Sequence, residues 1–195
     1  NSPTSAPTSA DVAFKLPNQD GSASEALITD GSGNLSFAGT GKILQVVQTF
    51  KTDITSGSGS QGTFQDISGL SVSITPTSSS NKILITFSVQ FGAGSTGTPV
   101  GIRLERGGTG IGIADASSTR NRCTVAEQTT YSNANNTVRL ATSQFLDSPN
   151  TTSSVTYNLA IVSSASWYIN RSEEFSDGTN HSVGTSFITA MEVAA

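Results

Sequence analysis

The chain has 195 residues, only 12% of them charged, with a formal net charge of −4 and a pI near 4.8. Ten Lys and Arg in all argue against a nucleic-acid footprint, which needs clustered cations. One Cys and one His exclude an intrachain disulfide and a structural zinc site of four Cys/His ligands, and no apolar run reaches the roughly 18 residues that span a bilayer.

Serine and threonine make up roughly thirty per cent of the residues. No window sustains the i, i+3, i+4, i+7 apolar pattern, and the β-branched residues suit a pleated surface, so the chain reads as all-β. It does not begin with Met, as for a processed chain, a fragment, or a sequence numbered from an internal residue. Residues 1–10, NSPTSAPTSA, have nothing to bury and read as an extended arm that only a partner chain would order. From 11 to 38, isolated apolar residues such as Leu16, Leu27, Ile28 and Phe37 alternate with the turn signals Asp20-Gly21 and Asp30-Gly31-Ser32-Gly33-Asn34. Pieces this short cannot make a core alone. The expected division is an arm or stalk over residues 1–40 and a β-sandwich over 41–195.

Gly39-Thr40-Gly41 reads as a hinge into a first long strand at 42–51, followed by a Gly/Ser loop. Leu70, Val72 and Ile74, then Ile83, Ile85, Phe87, Val89 and Phe91, are two period-two runs flanking Thr75-Pro76-Thr77-Ser78-Ser79-Ser80-Asn81. They predict a β-hairpin at the centre of the core, each large side chain contributing roughly 1.5–3 kcal/mol when buried. A strand at 100–106 leads through the tight turn Gly107-Gly108 to Ile111, and 115–122 reads as a polar loop. Further strands are expected at 123–131, 138–146, 154–162, 167–171 and 184–193. Nine or ten strands with polar turns give an antiparallel β-sandwich or jelly roll.

No catalytic constellation emerges. His181 lies in a polar loop away from Cys123, which reads as a small buried hydrophobe. Glu173, Glu174 and Asp177 form an acidic cluster that fits a solvated loop better than a hydrolase carboxylate pair. Asp20 and Asp30 fit turn chemistry better than calcium ligation. No cofactor and no metal are expected. Five Asn-x-Ser/Thr sites, at Asn34, Asn135, Asn150, Asn170 and Asn180, are about what this composition produces by chance. If the domain binds something, the candidates are loop and aromatic residues: Arg120, Arg122, Asn135, Trp167, Tyr168, Arg171 and His181. For the aromatic pair the competing reading is that Trp167 packs in the core and Tyr168 covers the sheet.

Leu16-Pro17, Asp20-Gly21 and residues 27–37 resemble a short motif of fibre and appendage proteins of tailed phages, especially those of aquatic and cyanobacterial hosts, and of large algal viruses. The segments Lys42-Ile43-Leu44-Gln45-Val46-Val47, 67–76, Asn81-Lys82-Ile83-Leu84-Ile85, Leu146-Asp147-Ser148-Pro149 before Tyr157, and Thr189-Ala190-Met191-Glu192-Val193 are similar to the C-terminal β-domain of that family. The resemblance implies a virion surface protein, most often a homotrimer, with the leading segment holding other virion proteins and the β-domain exposed to a host glycan or protein. A capsid-decoration protein that cements the shell is the alternative, and a polysaccharide hydrolase domain a more distant one. Neither membrane insertion nor enzymatic activity is expected.

Overall fold

The structure, a computed structural model, describes residues 15–22, 25–39, 41–94, 97–128 and 136–195. Residues 1–10, Tyr131 and the site candidate Asn135 lie outside the described residues. The described residues contain thirteen strands and no α-helix. The chain separates into two compact units, Asn1–Lys42 and Ile43–Ala195.

The first unit contains one antiparallel hairpin, β1 (Glu25–Thr29) with β2 (Leu35–Gly39). Its turn is built by Asp30, whose carboxylate accepts from the Asn34 side-chain amide at 2.6 Å and the Ser32 N–H at 2.8 Å. Gly31 and Gly33 take φ of 81° and 90°, where a side chain would be strained. These bonds, the Asn34 side chain first, hold the Asp30 carboxyl below its ordinary range. Leu27 and Phe37 stand opposite each other on the ladder, both exposed, as is Leu16. Two strands cannot bury such a face by themselves.

The second unit is two packed sheets. The first carries β3 (Ile43–Lys51), β13 (Ser186–Val193), β6 (Lys82–Ala93) and β10 (Arg139–Asp147), with β12 (Trp167–Ile169) and β4 (Thr55–Gly57) continuing it beyond β13 and β3. The second carries β5 (Gln65–Ile74), β11 (Val155–Ser163) and β7 (Pro99–Arg106), with β8 (Thr109–Ile111) and β9 (Val125–Gln128) sharing the far edge of β7. Taking β3 with β4, β5, β6, β7, β8 with β9, β10, β11, and β12 with β13 as successive positions, the sheets read 1-8-3-6 and 2-7-4-5. That is the strand order of a jelly roll.

The expected central hairpin does not form. β5 pairs with β11 and β6 with β13, β12 and β10, so the chain crosses from one sheet to the other through residues 75–81. Both runs do bury their apolar rows: Val72 and Ile74 face the interior, as do Ile83, Ile85, Val89 and Phe91. Alternation fixes which face is buried but not which strand is the neighbour. A seven-residue connection with Pro76 spans the gap between sheets about as well as it would close a ladder. Within β5, Gly69 at φ 82° lets the strand bulge, so that Ile67 and Leu70, three apart, both point inward.

The Gly107-Gly108 turn is as expected: φ of 55° and 78° match the hairpin that pairs Arg106 with Thr109. The strand expected at 123–131 is described only over Val125–Gln128. Upstream, Cys123 and Thr124 bind the β7–β8 region, where the Thr124 N–H donates to the Ile102 carbonyl at 2.9 Å and its Oγ1 accepts from the Leu104 N–H. β12 ends at Ile169 because Asn170 turns to φ 65°.

Candidate functional site

Several segments quoted for the viral resemblance converge on buried polar clamps. Glu192 follows Ile188 and Ala190 in the inward row of β13 and is fully buried. Its carboxylate accepts from the Gln45 side chain (2.6 Å), the Thr77 N–H (2.6 Å), the Thr77 hydroxyl (2.8 Å) and the Asn81 side chain (2.6 Å). Burial pushes this carboxyl up, but the four donors, Asn81 foremost, outweigh it and hold it at about 2. The Ala195 N–H donates back to Asn81 Oδ1, so the end of the chain is tied to the crossover between the sheets.

Asp147 makes a second clamp, accepting two bonds from Arg106 Nη1, at 2.9 and 2.7 Å, and one from the Tyr157 hydroxyl at 2.7 Å. Burial, and then the Asp147 carboxylate, push the Tyr157 phenol well above its ordinary range. In a third, the Asn170 amide donates to the carbonyls of Lys51 and Asp53, and its Oδ1 accepts from Ser186 Oγ at 2.6 Å. Asn170 is fully buried, so this sequon is a structural joint. The sequence reading missed all three, although Glu192 carried a signal: a charge in an otherwise apolar inward row is buried with partners or not at all.

Three candidate contact residues, Tyr168, Arg171 and His181, come together in and around residues 168–181. Arg171 lies over the Tyr168 ring, 4.3 Å from its centroid, and 5.2 Å from that of Phe175. Its Nη1 donates to the carbonyls of Ser172 and Glu173. The Tyr168 hydroxyl donates to Glu173 Oε1 at 3.3 Å, and the His181 ring meets Phe175 edge-on at 6.4 Å. Trp167 is not part of this surface. It is 4% exposed, its indole N–H donates to Gln65 Oε1, and a Cβ on Gly57 would collide with its ring. Of the two readings, core packing is the one found for Trp167.

Arg120 and Arg122 sit at the opposite sheet, in the connection between β8 and β9. Arg120 Nη1 donates to Ser117 Oγ at 3.3 Å, and Arg122 Nε to the Ala114 carbonyl at 2.7 Å. The two guanidiniums thus brace their own loop, leaving both residues exposed. Burial raises the Cys123 thiol, the nearby Arg103 cation opposing it. Among the described residues, no group of three or more His, Cys, Asp or Glu is placed to hold a metal ion. No helix among them is long and apolar enough to cross a membrane.

Exposed apolar side chains gather on the outer face of the first sheet. One cross-strand row is Val46, Met191, Leu84 and Leu146. The next is Gln48, Thr189, Thr86 and Gln144, and the third begins with Phe50 and Phe187, whose rings stack at 6.1 Å, and continues through Ser88 and Thr142. No charged side chain interrupts these three rows. Val46 and Phe50 are each more than half exposed, and Leu140 and Leu146 extend the patch along β10.

Neither a protein-family model nor a curated protein matches this chain. Among solved structures it is similar to infectious bursal disease virus, Gx strain, at 14% identity and a TM-score of 0.38, covering 83% of this chain and 40% of that one. The VP2 subviral particle of the same virus gives 12% identity, a TM-score of 0.39, and the same coverage of 83% and 40%. T=1 particles derived from it give 12%, 0.40, and 83% against 39%. The chain spans about two-fifths of the length of these neighbours. The assignment of fold rests on the strand order.

Proposed function

We propose that the chain is a virion structural protein, a homotrimeric fibre subunit at the particle surface. On this reading residues 1–40 attach it to other virion proteins, and the jelly roll, 41–195, is exposed for contact with the host surface. The observation that carries the reading is the set of three uncharged rows on the outer face of β3, β13, β6 and β10, with Lys82 at their margin. Its apolar row of Val46, Met191, Leu84 and Leu146 and the stacked Phe50 and Phe187, with uncharged Gln, Thr and Ser between them, mark a protein contact. With no charge inside its three rows, it suits a copy of itself better than a charged partner, and closed symmetry then limits the assembly. The sequence resemblance to phage appendage proteins supports the viral setting.

Catalysis has no part in this reading. Glu173 is engaged by Tyr168, while Glu174 lends its backbone carbonyl to the Ser172 hydroxyl and the His181 ring. The test is the double variant Val46→Lys with Leu146→Lys. Both positions are solvent-exposed, so the fold should persist at an unchanged thermal midpoint. The variant is expected to lose self-association and incorporation into particles. A variant that still assembles and is still incorporated would overturn the proposal.

A further inference from the structure

At the β9 end of the second sheet a cleft of about 510 Å³ lies between the β8–β9 connection and residues 61–62. That volume is within the usual range for small-ligand sites. Its floor is aliphatic, formed by Gly101, Ala126, Val162 and Cys123, and Gly101 stays bare because a Cβ there would collide with Cys123 Sγ and press on Val162. Around the rim stand the amides and hydroxyl of Gln61, Asn121 and Ser164, while Ser163 is buried with its Oγ accepting from the Ala165 N–H.

Two charged residues line the cleft, Arg120 and Glu127. Glu127 faces Arg139, with Nη1 at 3.4 Å. Arg120 is held by Ser117 alone, and among the described residues no carboxylate lies within ion-pairing distance of it. In a chain of net charge −4, the cleft therefore presents above its aliphatic floor one cation, Arg120, with no carboxylate partner among the described residues, while its one carboxylate, Glu127, is turned to Arg139. Arginine binds carboxylates through paired N–H donors.

We infer that this cleft binds a carboxylate-bearing sugar residue of the uronic-acid class. The aliphatic floor takes the C–H face of the ring, the rim amides and hydroxyl match its hydroxyls in both donor and acceptor roles, and Arg120 takes the carboxylate. A fatty acid would leave the polar rim unmatched, and a neutral sugar would leave Arg120 unused. The inference names the ligand class for the attachment function proposed above and rests on that reading. With an aliphatic floor in place of an aromatic one, the affinity expected is millimolar.

The test is saturation-transfer NMR and titration of the full chain with a glucuronate-containing oligosaccharide, its neutral glucose counterpart, and citrate. The expected result is that the glucuronate ligand binds, and that Arg120→Gln weakens it about tenfold while leaving the weak glucose signal unchanged. Ala126→Tyr, at an exposed edge position, should abolish both at an unchanged thermal midpoint. Equal binding to wild type and Arg120→Gln, or no glucuronate binding at all, would overturn the inference, as would citrate displacing the sugar at equal concentration. None of these outcomes bears on self-association, which is read separately by mass.

Discussion

The side-chain amide of Asn81 donates to Glu192 Oε1 over 2.6 Å, and both residues are buried. The crossover between the two sheets is thereby fastened to the last strand of the domain, 111 residues later. A carboxylate with four donors is stable at this depth; the same carboxylate without them would not be. Glu192→Gln keeps the size of the side chain but turns a donor toward groups that are themselves donors. The expected cost is roughly 2–3 kcal/mol, read as a shift in the urea unfolding midpoint at pH 7.

The pH dependence follows from the same clamp. The carboxyl is lowered on folding from 4.5 to about 2, so its contribution is fully present above pH 4.5 and is lost as pH falls from 4.5 toward 2. The stability gap between wild type and Glu192→Gln should therefore narrow across that window and close near its lower end. A gap that stays constant from pH 7 to pH 2 would contradict the role given to Glu192.

Tyr157 should not ionise while the protein is folded. Burial and the Asp147 carboxylate both oppose the phenolate. In a titration followed by tyrosinate absorbance, its signal should appear only together with alkaline unfolding. Tyr157→Phe, which leaves Asp147 with Arg106, should cost roughly 1.5–3 kcal/mol, as for a hydrogen bond to a charged group.

Cys123 is part-buried against Gly101 and its thiol is raised by burial. Its reaction with a disulfide reagent at pH 8 should be at least about tenfold slower than that of a free thiol and recover in urea. Rapid reaction in the native protein would show that the cleft floor is more open than its packing implies.

The sequence was most informative where period-two alternation was long. β6 and β13 show their inward and outward rows directly, because one face of each is buried. Pairing was less legible, since Leu70, Val72 and Ile74 would bury equally well beside β6 or across from it. Only the distant strand β11 decides the matter, and no local signal in residues 75–81 names it. The β8–β9 connection was readable as a loop from its polarity, but the cleft it forms depends on its meeting residues 61–62 in space. Arg171, Tyr168 and His181 were legible as residue types; Phe175, which meets both Arg171 and His181, was not singled out because a lone aromatic in a polar loop shows no pattern.

Self-association through the outer face of the first sheet is the claim on which the functional account stands, and sedimentation equilibrium of the wild-type chain tests it most directly. The chain mass is 20.0 kDa, so three copies give 3 × 20.0 = 60.0 kDa. The account predicts that species at micromolar concentration and its loss in Val46→Lys with Leu146→Lys. A 20.0 kDa monomer persisting at the highest soluble concentration would contradict it.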